Sequence, residues 1–303
     1  MITSIEEMNA IRKKQTRATA ASFCVTFAAF AVMIITIVLR NSGIISSEQR
    51  LTALIILLVI YNAVFLILMN SITFPFERNS RVMQTVRALN REGFSKGYMW
   101  AAANNIRQMS PSPARDFLLI LAAESHIHLG EFDKAYSALS GVSPNRSPEL
   151  DLLYRSCFMT MHFETGNYAD AAAVYNDIMT YCANADFRKS LSAYSDMYMS
   201  ETKMLYISGN YNEYISRSES FVDALSELKA YGKVPMNTKQ GIAIHRTDIA
   251  AVCIRLGLYD KAIYHLNLAI PDLSEIPYRL NKALALNNDA INAMKEANTD
   301  VHS

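Results

Sequence analysis

Histidines, cysteines and carboxylates are where acid–base, nucleophilic or metal chemistry would sit in this 303-residue chain. His126 and His128 stand two apart on a helical stretch, and that spacing turns the rings to different faces. No HExxH motif and no i, i+4 histidine pair occurs, the patterns that gather zinc on one helix. His162, His245 and His265 are isolated. Cys24, Cys157, Cys182 and Cys253 make no CxxC, and Cys24 lies in an apolar run. They read as small buried hydrophobes in a reducing compartment. There is no glycine-rich phosphate loop and no Gly-x-Ser-x-Gly elbow. Glu124, Glu164 and Asp177 are scattered, as on solvated faces. The residues specify no catalytic, metal-binding or cofactor-binding constellation, and the expectation is a protein that is not an enzyme.

Charge and aromatic content exclude a second class. The formal net charge is +1, too small for a nucleic-acid-binding field. The 16 Tyr and 13 Phe suit base stacking, but several recur at repeat positions where helix packing explains them. One cationic stretch stands out: Arg78, Arg81, Arg87, Arg91, Lys96 and Arg107, opposed only by Glu77 and Glu92. Near an anionic bilayer each cation contributes up to about 1 kcal/mol. Arg78, Arg81, Arg87 and Arg91 are therefore candidate membrane-surface contacts.

The elements that position these residues are of two kinds. Ala18–Leu39 and Leu51–Phe76 are long uncharged runs, each near the roughly 20 residues a helix needs to cross a bilayer. A cleaved signal peptide would have a shorter apolar core, about 7–15 residues, followed by a small-residue site. Here the run is longer and meets Arg40-Asn41-Ser42-Gly43, which reads as a turn. Neither run holds an ionisable residue, which argues against transport. Asn62 and Asn70 are expected to face the partner helix or the interface. Arg12, Lys13, Lys14 and Arg17 precede the first run, Arg78, Arg81, Arg87 and Arg91 follow the second, and only Arg40 and Arg50 lie between. This bias places both termini in the cytoplasm, on the inner face of a plasma membrane.

Beyond Glu77 a phrase repeats: Gly130-Glu-Phe132-Asp-Lys-Ala135, Gly166-Asn-Tyr168-Ala-Asp-Ala171, Gly209-Asn-Tyr211-Asn-Glu-Tyr214 and Gly257-Leu-Tyr259-Asp-Lys-Ala262. A weaker copy is Glu92-Gly-Phe94-Ser-Lys-Gly97. Glycine just past a helix stops it, an aromatic plugs the gap, and a small residue lets the next helix approach. The four clear glycines are 36, 43 and 48 residues apart, the range of helical-pair repeats. These copies resemble tetratricopeptide repeats (TPR), over roughly Glu77–Pro271. Gly257, Tyr259, Ala262, Leu266 and Ala269 fit that pattern well, whereas Tyr214 stands where a small residue is expected and implies looser packing. Spacings above the family's 34 residues imply lengthened connections around Tyr181–Phe187 and Tyr231–Thr238.

The expected organisation is all-α. Residues 1–17 form a cytoplasmic lead, 18–76 a transmembrane helical hairpin, 77–272 a TPR-like α-solenoid of about four to five helix pairs, and 273–303 a capping helix with a frayed tail. The resemblance implies a concave groove lined by positions two, three, six, ten and thirteen before each turn glycine. Those positions include Glu124, His128, Ser156, Thr160, Glu164, Lys203, Tyr206, Thr247 and Arg255. The implied function is a membrane-anchored scaffold that holds a peptide or helix of a partner protein in its groove. An accessory subunit of a membrane enzyme, transporter or secretion complex, assembling through the hairpin, is the alternative.

Overall fold

The computed structural model describes residues 3–43, 46–70, 77, 79–182, 191–227 and 235–300. Among these residues every regular element is helical. α1 (Ile5–Asn41) and α2 (Ser47–Asn70) lie against each other as a hairpin. Their outer faces are apolar and exposed, with Phe23, Phe27, Ile55, Leu58 and Val59 uncovered. α1 is the one described helix long and apolar enough to cross a membrane. In α2 the described apolar run is Leu51–Val64, about 21 Å at 1.5 Å per residue, short of a roughly 30 Å hydrocarbon core. Two spans were expected, and the described apolar length supports one. Asn62 also departs from expectation: it is exposed, and its amide donates to the Leu58 carbonyl of its own helix at 2.7 Å. The polar contact across the hairpin is instead Thr26 with Tyr61, 3.3 Å apart. The side chain of Asn70 lies outside the described residues.

Five antiparallel pairs follow: α3 (Ser80–Glu92) with α4 (Lys96–Arg107), α5 (Pro113–His128) with α6 (Phe132–Ser140), α7 (Pro148–Glu164) with α8 (Tyr168–Cys182), α9 (Leu191–Ile207) with α10 (Tyr211–Ser226), and α11 (Met236–Arg255) with α12 (Tyr259–Ala269). A 3-10 turn at Ile270–Leu273 leads into α13 (Pro277–Asp300). Local chemistry sets several starts: Asn79, Ser95 and Ser112 cap α3, α4 and α5 with side-chain oxygens, and Pro113 opens α5.

The four clear phrases adopt one geometry. Gly130, Gly166, Gly209 and Gly257 all have φ between 72° and 78°, where only glycine is unstrained. In each, the residue after the glycine donates its backbone N–H five residues back: Glu131 to His126, Asn167 to His162, Asn210 to Leu205 and Leu258 to Cys253. This is the hydrogen bond of a Schellman stop. The aromatic two residues past the glycine is the first residue of the next helix each time. Ala135, Ala171 and Ala262 are fully buried, as close helix approach requires. Tyr214, at the equivalent position, is buried too, and α9 and α10 touch less extensively than the pairs built on alanine.

A solenoid of stacked helix pairs was expected, and among the described residues its last pair also meets its first. α11 packs against α3, and Gln240 of α11 accepts the Phe94 N–H at 2.8 Å. α13 packs on α12 and α11, yet its first turn reaches across to the α5–α6 turn, where Tyr278 crosses Phe132 edge-on at 6.0 Å. The expected cap is therefore also a clasp. The polar lead is not separate either: it is the start of α1. Met8 and Ile11 are buried in the core with α9 and α10 residues, and Arg12 donates to the Ala224 carbonyl at 3.0 Å. The lengthened connections expected around Tyr181–Phe187 and Tyr231–Thr238 fall largely outside the described residues, as do 301–303 of the tail.

Candidate binding cavity

The inward faces of α5, α7, α9 and α11, with Phe221 and Leu225 of α10, line a partly open cavity of about 360 Å³. Its walls follow the repeat register. Ile120, Glu124 and His128 stand ten, six and two residues before Gly130; Ser156 and Thr160 stand ten and six before Gly166; Asp196 and Lys203 stand thirteen and six before Gly209. In α11 the wall is displaced toward the start of the helix, at Asn237, Thr238, Gly241, Ile244 and His245. The expected position Thr247 is buried and donates to the Ala243 carbonyl.

Electrostatics in the cavity are tight. Lys203 Nζ donates to Thr160 Oγ1 at 2.7 Å, and burial pushes its pKa below the ordinary lysine value. The Asp196 carboxyl is pushed up to about 8, first by burial and then by Glu124, against the pull of Lys203. His245 is pushed down to about 4 by burial and is neutral at neutral pH. Cys157 also lines the space, and burial pushes its thiol up, so it is an inert hydrophobe rather than a nucleophile. Ser156 is 4% exposed and its Oγ has no hydrogen-bond partner among the described residues.

Beside the cavity lies a second charged group. Arg279 of α13, with no exposed surface, pairs with Glu164 at 2.9 Å and approaches Asp248 at 3.8 Å. Lys282 pairs with Asp248 at 2.9 Å. Arg279 Nη2 also lies 3.4 Å from His128 Nδ1, linking this network to the cavity wall. Burial alone would raise both acids, but the cations override it: Glu164 is lowered, and Asp248 falls to about 2.

The candidate groove residues thus separate. Glu124, His128, Thr160 and Lys203 share the cavity. Glu164 is sealed beneath Arg279. Tyr206 and Arg255 belong to an aromatic cluster at the turns, where Arg255 lies over the Tyr206 ring at 5.2 Å and Phe163, Tyr168, Tyr211 and Tyr214 pack against that ring. Asp196, His245, Asp248 and Arg279 were not singled out. Asp196 alone had a signal, since it occupies the register position thirteen before a turn glycine. Of the candidate membrane contacts, Arg81 donates to Gln108 at 2.8 Å, Arg87 is exposed, Arg91 pairs with Glu92, and Arg78 lies outside the described residues.

The space lies within the small-molecule range. Among the described residues, no group of three or more His, Cys, Asp or Glu is placed to hold a metal ion. Comparison with protein-family models, with curated proteins and with solved structures returned no match.

Proposed function

We propose that this chain is a membrane-tethered interaction protein: α1 and α2 form a two-span anchor, and a TPR-like helical body is presented to a protein partner on the cytoplasmic side. One observation carries the tether. Residues 3–12, which precede the apolar part of α1, are fastened to α9 and α10 of the body. The lead and the body then share one side of the membrane, and a chain whose α1 crosses must cross again before α3. α2 is the available second crossing: it continues to Asn70, and residues 65–69 are Phe, Leu, Ile, Leu and Met. The flanking cations point to the same orientation. On this reading the partner surface includes the turn cluster of Tyr168, Tyr206 and Arg255, where Tyr168 is 37% exposed. Tethering raises effective concentration at the membrane without further contacts.

Single cysteines in an otherwise cysteine-free chain test the topology. Ser42→Cys should react with a membrane-impermeant thiol reagent on intact cells, and Lys13→Cys and Glu219→Cys only after permeabilisation. Labelling of Lys13→Cys and Ser42→Cys on opposite sides from this pattern overturns the orientation, and release of the protein from membranes by carbonate overturns the tether.

A further inference from the structure

The α3–α4 pair carries a charge that the rest of the chain does not. Between Ser80 and Arg107 stand five cations, Arg81, Arg87, Arg91, Lys96 and Arg107, against one acid, Glu92, whereas the whole chain nets only +1. Glu92 is taken by Arg91, and Arg81 donates to Gln108. Arg87 is exposed and has no ion pair among the described residues. The same helix pair leaves large apolar side chains uncovered. Met83 of α3 is 41% exposed, and Trp100 of α4, the single tryptophan of the chain, is 73% exposed. Cations interleaved with uncovered apolar side chains, a tryptophan among them, make a surface that suits lipid headgroups.

Arg87 also borders a second cavity, of about 440 Å³, between α3, α5 and the start of α11. Val82, Val86 and Leu89 wall it from α3, and Phe117 and Leu121 from α5. Its polar lining is confined to Glu77, Arg87, Asn90 and Asn237. It shares Phe117, Leu121 and Asn237 with the first cavity, but none of that cavity's charged groups. We infer that this second cavity holds an acyl chain of an anionic phospholipid from the cytoplasmic leaflet, with the lipid phosphate on Arg87. The apolar walls match hydrocarbon, and the unpaired guanidinium matches a phosphate, to which it can donate two parallel hydrogen bonds. The leaflet as source rests on the tethering reading. α2 ends at Asn70 and α3 begins ten residues later, so α3 is the first helix of the body that the chain forms beyond the bilayer.

Native mass spectrometry of the whole chain in a neutral detergent, with dioleoyl phosphatidylglycerol and dioleoyl phosphatidylcholine as probes, tests this. One phosphatidylglycerol should be retained per chain, at least tenfold in preference to phosphatidylcholine, and glycerol 3-phosphate should not displace it. Arg87→Gln, at an exposed position, should remove that preference with an unchanged melting midpoint. Val86→Trp, which fills the space, should lower retention of both lipids. Lys134→Gln, which removes an exposed cation on α6, should change nothing. Equal retention of the two lipids, undiminished preference in Arg87→Gln, or an equal loss in Lys134→Gln overturns the site. So does displacement by glycerol 3-phosphate, which would reduce it to an anion contact. Disulfide-linked pairs of Met83→Cys chains with no lipid retained would give the face to a second copy and overturn it as well. Retention is read without a bilayer, so its failure is distinct from release by carbonate, which overturns the tether.

Discussion

Arg279, near the start of α13, pairs at 2.9 Å with Glu164, the last residue of α7, across 115 positions of sequence. No surface of Arg279 is exposed, and among the described residues its Nε and Nη1 lack hydrogen-bond partners, so the guanidinium depends on Glu164, the more distant Asp248 and a 3.4 Å contact of Nη2 with His128 Nδ1. Removing one member of a buried pair leaves the other charge uncompensated. Arg279→Met should therefore cost about 3–5 kcal/mol in chemical denaturation. The double variant Arg279→Met/Glu164→Leu should recover part of that loss. A double variant no more stable than the single would mean that the pair is not coupled as the geometry indicates.

The turn glycines should not be equivalent. A Cβ added at Gly257 meets nothing within 4 Å, so Gly257→Ala carries only the strain of a positive φ, about 1–2 kcal/mol. At Gly130 the same Cβ would stand 2.6 Å from the Tyr278 ring of α13. Gly130→Ala should cost more than Gly257→Ala, and Tyr278→Ala should remove most of the difference. Thermal melts of the four proteins decide this. Equal midpoints for the two alanines would mean that α13 does not rest on the first repeat turn.

This contrast separates what was legible in the sequence from what was not. Gly130, Phe132 and Ala135 act through neighbours in the same turn, so their spacing announced the turn, the helix start and the buried contact. The same register placed Glu124, Thr160 and Lys203 on one inner face, and it extends to Asp196. Ring closure was not legible, because it depends on small rotations accumulated from pair to pair until Gln240 meets Phe94. Nor was the role of Arg279, whose partner is fixed only after closure. Asn62 misled for a local reason: an amide in an apolar helix satisfies itself on the carbonyl four residues back as readily as across a helix pair.

Two cavity residues should shape the pH profile. Native Asp196 keeps its proton to about 8, whereas an unfolded aspartate loses it near 3.9. Between those values the native state holds the extra proton, so stability falls as pH rises. His245 works oppositely: it stays neutral down to about 4 in the native state, whereas unfolded histidine protonates near 6.5. Stability then falls as pH drops through that window, and the two slopes oppose each other below about 6.5. Above it only Asp196 of the two still acts. The melting midpoint should decline from about pH 6.5 to 8, and Asp196→Asn should flatten that decline. A variant whose profile still follows the wild type would place the titration elsewhere.

The last expectation concerns the lead. Arg217 of α10 donates to the Thr3 hydroxyl at 2.7 Å and to the Thr3 carbonyl at 3.3 Å, pairs with Glu201 at 2.6 Å, and lies over the Tyr198 ring at 3.8 Å. The Ser4 N–H donates to Tyr194, whose hydroxyl donates to Glu7. Behind these bonds Met8 and Ile11 are 4% and 8% exposed, and truncating residues so buried to alanine costs about 2–5 kcal/mol each in a packed core. The contact joins α9 and α10 to the start of a helix that continues into the apolar hairpin, so its loss should be local. In Met8→Ala/Ile11→Ala, hydrogen exchange of the α1 amides from Met8 to Arg12 should speed up at least tenfold, while α5 to α8 keep their protection. Cysteine labelling at Glu6→Cys in that background should become faster as well. Unchanged exchange in the first turns of α1 would mean that the lead is held by the hairpin alone, and the argument for two crossings would lose its support.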